Sequence, residues 1–599
     1  MPEPSPEQQQ IIDDTSRIRI VRAAPGSGKT WLVGKIIQKE LESWNQPGGI
    51  AALSFTRVGG EEIRNATGYE LTLPHFVGTL DSFLFRYIIK PFWNKIHPNY
   101  AKPRLVPAEC GAEKWTKTPD GDDLIRSKKG YNLLKITYKG LDSYNNEILT
   151  YKNQHGQGYE TISEEFDWIR KVKRTFVQKS GWMTHADVAL YSYRILTDAS
   201  QGKKISNLIS QKFPFIVIDE LQDTGFFAGK TILQLLEQAI NIKALLVGDP
   251  NQAIYEFNGA TPSLFDQFSK LNKPHNLTES RRCPQSIVSL ANCLIPDAMN
   301  SNGDKNGINT LIIYSNFEKD IPELITKLNK QYSYQNIKYI TRLNKTIYDF
   351  GKKQKKDLST LGCPALTHMS HAVQAFYQGN NVKAFGLAES AISLWLFNYE
   401  GISEEDLSIN QVIYDDWKEL IVSCLLECVR IDESLTYEKW QTEAGAKIEE
   451  KIKNNSLKII IPTKHLKPTN YKKNRNKKCC DDQMTIFFPS IRKKTDVPSL
   501  QTIHSVKGQT HDATVLVIPP ISRGKSRCPS DLWWSEELKD NEERRIAYVA
   551  LTRSRKDFYL VVSKDSAQNL ENKQPTFFNY FEVKEIEDFI PKPKITDFV

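Results

Sequence analysis

The 599-residue chain has no run of about 18 consecutive apolar residues, so no membrane-crossing helix is expected. Its start, Met1-Pro2-Glu3-Pro4, lacks the basic-then-apolar pattern of a secretory leader. The nine cysteines include no Cys-x-x-Cys pair, which argues against a zinc site, an iron–sulfur centre and a disulfide framework. Cys424 and Cys428 stand one helical turn apart in an apolar run and read as core packing, while the adjacent Cys479 and Cys480 are poorly placed to share one metal. A reducing cytoplasm is the expected compartment. No internal repeat is present. The net charge of +9 suits a nucleic-acid partner or a plain lysine-rich surface, and by itself does not choose between them.

Two apolar runs stop on polar residues of a particular kind. One ends on Ala23-Ala24-Pro25-Gly26-Ser27-Gly28-Lys29-Thr30, a glycine loop between a strand over 17–24 and a helix starting near Trp31. Glycines 26 and 28 let backbone N–H groups approach phosphate oxygens, Lys29 would neutralise the outer phosphates, and the Thr30 hydroxyl would hold Mg²⁺. Ala23 stands where the strict pattern has glycine. The other run is Ile216-Val217-Ile218-Asp219-Glu220-Leu221-Gln222-Asp223. Asp219 would hold Mg²⁺ through its water shell, and Glu220 would orient and deprotonate an attacking water. Alone, the first could be a glycine-rich turn with a chance lysine and the second a helix N-cap with acidic first-turn residues. Together they read as two halves of a nucleoside-triphosphatase site.

Length predicts roughly three to five domains. Strand-like runs over 17–24, 49–56, 213–219 and 243–248 form one set, and runs over 308–314, 337–341, 499–504, 513–518 and 557–563 a second. The expected fold is α/β, with two RecA-like parallel-sheet lobes, each carrying a mainly helical insert. The first lobe would take 1–85 and 206–277, with 86–205 inserted. The second would take 278–349 and 491–599, with 350–490 inserted. Long amphipathic segments over 372–397 and 411–430 mark the second insert. The basic run over 464–478 is either a phosphate-gripping loop or a solvated one.

With these motifs fixed, the chain resembles the UvrD/Rep/PcrA-like branch of superfamily 1 DNA helicases, with further short motifs in the family's order. Pro4-Ser5-Pro6-Glu7-Gln8 resembles its Q motif, in which Gln8 would read adenine. Ser54-Phe55-Thr56-Arg57 and Gly78-Thr79-Leu80-Asp81-Ser82-Phe83 resemble motifs Ia and Ib. The resemblance implies phosphate contacts from Thr56, Arg57 and Thr79 and base stacking by Phe55. Gly248-Asp249-Pro250-Asn251-Gln252 through Phe257 resembles motif III, with Gln252 sensing the γ-phosphate and Tyr255 and Phe257 facing DNA. Ser280-Arg281-Arg282-Cys283-Pro284 resembles motif IV, with Arg282 on phosphate. Gln501-Thr502-Ile503-His504-Ser505-Val506-Lys507-Gly508 resembles motif V, in which Thr502 and His504 would touch DNA. Glu542-Glu543-Arg544-Arg545-Ile546-Ala547-Tyr548-Val549-Ala550-Leu551-Thr552-Arg553 resembles motif VI, with Arg553 as arginine finger.

The chain departs from the family in three places. Trp31 and Arg281 occupy positions that carry arginine and tyrosine in relatives, so ring and cation exchange sides around the base. Motif V runs Gly508-Gln509-Thr510-His511-Asp512 and lacks the glutamate that contacts the sugar, leaving His511 or Asp512 to replace it. Asn258 stands for an arginine in motif III. Only 46 residues follow Arg553, so no fused carboxyl-terminal nuclease is expected.

The implied activity is ATP- and Mg²⁺-dependent translocation along single-stranded DNA with unwinding of tailed duplexes, 3′ to 5′. The insert over 86–205 would guide DNA and that over 350–490 would regulate or recruit. Two alternatives stay open. One is a DNA-stimulated ATPase that senses DNA or feeds it to a separate nuclease; free-standing relatives of the family occur beside nucleases in antiphage systems. The other is a structural subunit with a dead site.

Overall fold

The computed structural model describes residues 3–105, 136–143, 145–152, 159–161, 166–255, 263–296, 298–301, 307–331, 334–343, 346–347, 364–377, 379–397, 414–432, 434–454, 500–520 and 542–589. Phe257, Asn258, Cys479, Cys480 and the basic run over 464–478 lie outside them, as does the side chain of Arg57. The described parts of 1–105, 136–347 and 498–599 form one compact unit, and those of 348–497 a second.

Two six-stranded parallel sheets organise the first unit. The first sheet contains β1 (Ile18–Ala23), β2 (Ile50–Ser54), β3 (Phe76–Thr79), β4 (Phe215–Ile218), β5 (Lys243–Gly248) and β6 (His275–Leu277), in the order β6-β1-β5-β4-β2-β3. The middle strands are apolar runs without alternation. All of β2 and β4 is buried, as parallel strands covered on both faces require. Helices α1 (Pro6–Asp13) and α2 (Lys29–Glu42) flank this sheet, and α2 turns Leu32, Val33, Ile36 and Ile37 onto it, one contiguous stripe at helical spacing.

The second sheet contains β7 (Asn309–Tyr314), β8 (Ile337–Thr341), β9 (Gln501–Thr502), β10 (His511–Val517), β11 (Ser554–Ser563) and β12 (Glu582–Glu585), in the order β9-β8-β10-β11-β7-β12. Its core takes Leu516, Leu560 and Val562 from the strands, and Ile546, Tyr548, Val549 and Leu551 from a helix over Glu542–Leu551. The two expected parallel-sheet lobes are therefore present. Three short edge strands, β3, β6 and β12, are additions to the expected set.

The first insert is not purely helical. Helices Phe166–Ser180 and His185–Leu196 accompany a three-stranded antiparallel sheet of Ile136–Leu141, Glu147–Lys152 and Tyr159–Thr161. The turn between its first strands passes Asn145 at φ 67°, a left-handed conformation that asparagine tolerates.

The second unit is a bundle of helices Pro364–Tyr377, Asn381–Phe397, Tyr414–Val429 and Tyr437–Asn454. Its core holds Trp417, Trp440 and the fully buried Cys424 and Cys428. The segment over 372–397 is two helices and not one. Gly379 breaks it at φ 74°, donating its N–H to the Phe376 carbonyl, while Asn380 donates to Ala375. Among the described residues no helix is long and apolar enough to cross a membrane.

Candidate nucleotide site and nucleic-acid interface

The first sheet presents the carboxyl ends of its strands to a cavity of about 960 Å³, where open α/β sheets bind ligands. The loop after β1 forms one wall. Gly26 (φ 74°) and Gly28 (φ 83°) take left-handed conformations there. Gly26 is also pressed by its surroundings: a Cβ on it would fall 2.4 Å from that of Arg282. Pro25, Gly26, Gly28, Lys29, Thr30 and Trp31 all line the cavity. Ala24 and Ser27 do not. They are buried beneath the loop, where the Ser27 hydroxyl donates to the Ala24 carbonyl at 2.7 Å and holds the turn shut.

Lys29 Nζ lies 3.3 Å from Glu220 Oε1 and 3.4 Å from Oε2. Burial opposes the lysine's charge, but Glu220, Asp219 and Asp249 outweigh it and raise its pKa. Partial burial opposes the charge of Glu220 too, yet Lys29, Lys507 and Gln222 hold its carboxyl below the usual range. Asp219 shifts the other way. Burial and the neighbouring Glu220 charge push it up, and it sits behind the cavity wall, accepting the Glu220 N–H at 2.9 Å. Glu220 itself adopts φ 58°, a strained conformation for a residue with a side chain, of the kind that persists at functional sites when the surroundings enforce it.

Gln222 is part of that enforcement. Its Nε2 donates to the Glu220 carboxylate and its Oε1 accepts the Asp249 N–H at 2.8 Å, tying the ends of β4 and β5 together. Gln252 follows, with Nε2 donating to Asp249 Oδ2 at 2.8 Å.

Thr30 and Asp219 are the expected Mg²⁺ donors. Among the described residues no group of three or more His, Cys, Asp or Glu could hold a metal. An oxygen-only pair is nonetheless what a hard cation takes when substrate phosphates complete its shell. The acid surplus of Asp219, Glu220, Asp223 and Asp249 over Lys29 and Lys507 also calls for added positive charge at this end.

The second lobe supplies the facing wall from the amino ends of its strands. Arg553, just before β11, donates from Nη2 to Gln252 Oε1 at 2.8 Å across the lobes. It is 2% exposed, and burial with the neighbouring Arg282 pulls its pKa down to about 9. Arg282 donates to the Thr552 carbonyl at 3.1 Å and lines the cavity beside Arg281. Arg281 is anchored by its own N–H to the Gly26 carbonyl at 2.9 Å and by Nη2 to Gln8 Oε1 at 3.0 Å. Gln8 is not on the cavity wall; it is fully buried under the loop.

The residues expected on nucleic acid divide into two groups. Phe55 stacks on Tyr255 with centroids 5.2 Å apart, and Phe55 is 37% exposed. The Tyr255 hydroxyl donates to the His504 carbonyl at 3.4 Å, and His504 Nε2 meets the Ile254 carbonyl at 3.1 Å. Burial, with Arg342 and Lys507 nearby, lowers the His504 pKa to about 4, so its ring is neutral. Thr56, Thr79 and Thr502 instead use their hydroxyls locally, accepting the backbone N–H of Gly59, Ser82 and Ser505. Each is a cap or turn residue in this structure.

Lys507 was not singled out by sequence, although it falls inside the motif V stretch. Its Nζ lies 2.6 Å from both Asp223 oxygens and 2.7 Å from the Gln252 carbonyl, which accepts from it, and 4.8 Å from the Tyr255 ring centre. One cation thus touches the acid strand end, motif III and the aromatic pair. Gln222, too, stood within a quoted motif. The wall residues Glu62, Gln335, Arg555 and Lys556 carried no motif signal.

Two parallel-sheet lobes, with a phosphate loop and acid strand end on one and an arginine reaching in from the other, mark a two-lobed fold of the phosphate-loop class. Comparison narrows this. The family described as UvrD/REP helicase N-terminal domain matches residues 4–273. The chain is 27% identical over 335 residues to Gabija protein GajB of Bacillus cereus (strain VD045), covering 55% of this chain and 56% of that protein. It is 23% identical over 355 residues to ATP-dependent DNA helicase Rep of Buchnera aphidicola subsp. Acyrthosiphon pisum, covering 55% and 52%. It is also 23% identical over 653 residues to a probable DNA helicase II homolog of Mycoplasma capricolum, covering 97% and 87%. The chain spans about half the length of the first two of these relatives. The chain is thus similar to the UvrD/Rep-like superfamily 1 helicases, with residues 4–273 matching their N-terminal domain.

Proposed function

We propose that the protein is an ATP-driven translocase and helicase on single-stranded and tailed duplex DNA, moving 3′ to 5′. The observation that carries this reading is the Arg553–Gln252 hydrogen bond across the cavity that Lys29 lines, since it makes both lobes part of one site. The loop N–H groups and Lys29 bind the phosphates, and Trp31 and Arg281 stack on the base. Thr30 and Asp219 would hold Mg²⁺, which when bound neutralises phosphate charge.

With Lys29 paired to it, Glu220 is a weak base. A triphosphate draws Lys29 away, so Glu220 gains basicity only when substrate is present and can then orient and deprotonate water. Gln252 registers the γ-phosphate, while Arg553 and Arg282 stabilise the charge that develops on it. Phe55 and Tyr255 offer stacking faces worth ~1–3 kcal/mol per base without sequence preference, which suits a motor. Opening a base-pair step costs about 1.4 kcal/mol, well within one hydrolysis. In this scheme 1–85 with 206–277 and 278–349 with 491–599 are the two motor lobes, 86–205 guides DNA and 350–490 regulates or recruits.

ATP hydrolysis measured with and without single-stranded DNA, RNA and duplex tests the motor. Single-stranded DNA should stimulate strongly, and Glu220→Gln should lower the rate by ~10²–10⁴-fold. Displacement of a 3′-tailed duplex and not a 5′-tailed one checks polarity. A Glu220→Gln protein as active as the parent points to a dead site and rejects the scheme.

The likeness to Gabija protein GajB favours a second reading with the same chemistry: a DNA-stimulated ATPase that senses DNA or feeds it to a separate nuclease. Hydrolysis without strand separation would select it.

A further inference from the structure

We infer that Ser280 is a positioning residue for the triphosphate site: it fastens the turn that carries Arg282 to the phosphate loop, so that this arginine stays with the first lobe while Arg553 arrives with the second. The inference rests on the reading above that sets Arg282 on the γ-phosphate. Among the described strands, those of the first six-stranded sheet all lie before residue 278 and those of the second all after residue 308, so the chain passes between the sheets once. The helix Gln285–Leu294 already packs in the core of the second lobe. The passage is therefore the short stretch over 278–284.

That stretch is strapped to the first lobe. Thr278 donates its N–H to one oxygen of the Glu7 carboxylate at 2.9 Å and its hydroxyl to the other at 2.8 Å. Arg281 donates its N–H to the Gly26 carbonyl. Between them Ser280 is 1% exposed, and its hydroxyl is used in full. It donates to the Pro25 carbonyl at 2.8 Å and accepts the N–H groups of Cys283 at 3.1 Å and Arg282 at 3.4 Å. One O–H and two lone pairs allow no more. The accepted bonds close a serine turn around Arg282, and the donated bond ties that turn to the loop. Gly26 lies against both residues: a Cβ on it would fall 2.4 Å from the Arg282 Cβ and 2.9 Å from Ser280 Oγ. Arg553 is held instead from the second lobe, where its Nε donates to the Val549 carbonyl at 3.1 Å. A triphosphate seated on the loop thus meets Arg282 at once and Arg553 only on closure.

The test is binding to the full chain without DNA, for ADP and for the non-hydrolysable β,γ-imido analogue of ATP, each with Mg²⁺. Ser280→Ala should weaken the triphosphate about tenfold more than ADP, the lower end of what a hydrogen bond to a charged group contributes. The ratio of the two affinities is taken within one preparation, so a partly unfolded fraction does not move it. In an Arg282→Ala background, Ser280→Ala should leave the ratio unchanged, since it acts through that arginine. If Ser280→Ala is too unstable to assay, Ser280→Cys keeps only a weak donor and acceptor and should shift the ratio the same way by less. No shift in the variant assayed, or the same shift with and without Arg282, overturns the inference and leaves the triphosphatase reading standing. A parent chain that binds neither nucleotide defeats that reading itself.

Discussion

The first sheet turns the carboxyl ends of its strands to the cavity, with the loop after β1, Asp219-Glu220 after β4 and Asp249 after β5. The second sheet turns amino ends to it: Gln335 before β8, Lys507 to Asp512 at the start of β10, and Arg553 to Lys556 at the start of β11. One wall concentrates carboxylates and a single half-buried lysine; the other contributes mainly cations. Neither wall can both bind a triphosphate and stabilise its transfer. On the proposed function, this contrast would place hydrolysis under the control of lobe closure, with the water-activating group on the acid wall and the charge-neutralising arginine on the cationic one.

Removing the contribution of the cationic wall should give the largest effect. Arg553→Ala is expected to lower kcat for DNA-stimulated ATP hydrolysis by ~10³–10⁵-fold while nucleotide binding persists. Parallel phosphate-release and nucleotide-binding titrations check this, and loss of binding with kcat unchanged would move Arg553 from the chemistry to the ground state. Next comes the link between the walls. Lys507→Met leaves Asp223 buried without its partner, and burial already pushes that carboxyl up to about 6. Unfolding in denaturant should show a loss of about 3–5 kcal/mol, as for breaking a buried ion pair from one side. A change below 1 kcal/mol would show that the pair opens readily.

Phe55→Ala tests the acid lobe's aromatic face. Affinity for single-stranded oligonucleotides should fall by ~1–3 kcal/mol, equally for all sequences, in a fluorescence titration. Unaltered affinity would reduce the Phe55–Tyr255 stack to packing.

The smallest expected effect is in the cationic lobe's histidines. Burial, then Arg553 for one and Arg342 for the other, lowers His511 to about 3 and His504 to about 4. Folded values below the unfolded one mean the unfolded chain binds more protons in acid, so stability is full above about 6.5 and is lost as pH falls toward 4. Tm should drop between pH 7 and pH 5, and His511→Asn should flatten that slope. An unchanged slope would show that other groups set the acid limb.

The contrast between the walls also separates what could be read early from what could not. Lys29, Thr30, Asp219 and Glu220 follow strong apolar strands, and ligands gather where such strands end. Gln335 precedes its strand and Arg555 is the second residue of its own, where no comparable rule marks a residue. The antiparallel sheet within the first insert does carry a local signal, since Ile136-Thr137-Tyr138 and Ile148-Leu149-Thr150 flank an asparagine turn. β12, Glu-Val-Lys-Glu, carries none, and pairing with β7 alone makes it a strand. Gln8 shows the same limit at one side chain. Its motif suggests base reading, yet in this structure the amide is bonded to the Ser5 N–H, the Ser27 carbonyl and the Arg281 guanidinium.

By itself the chain determined the two parallel sheets, the phosphate loop and the acid strand end, because local hydrophobic runs and glycine placement follow from adjacent residues. Only the tertiary structure decided that Arg553 reaches Gln252, that Lys507 ties Asp223 to the aromatic pair and that Gln8 turns inward. The first two pairings, and the Gln8–Arg281 contact in the third, join residues hundreds of positions apart, and no local pattern encodes them.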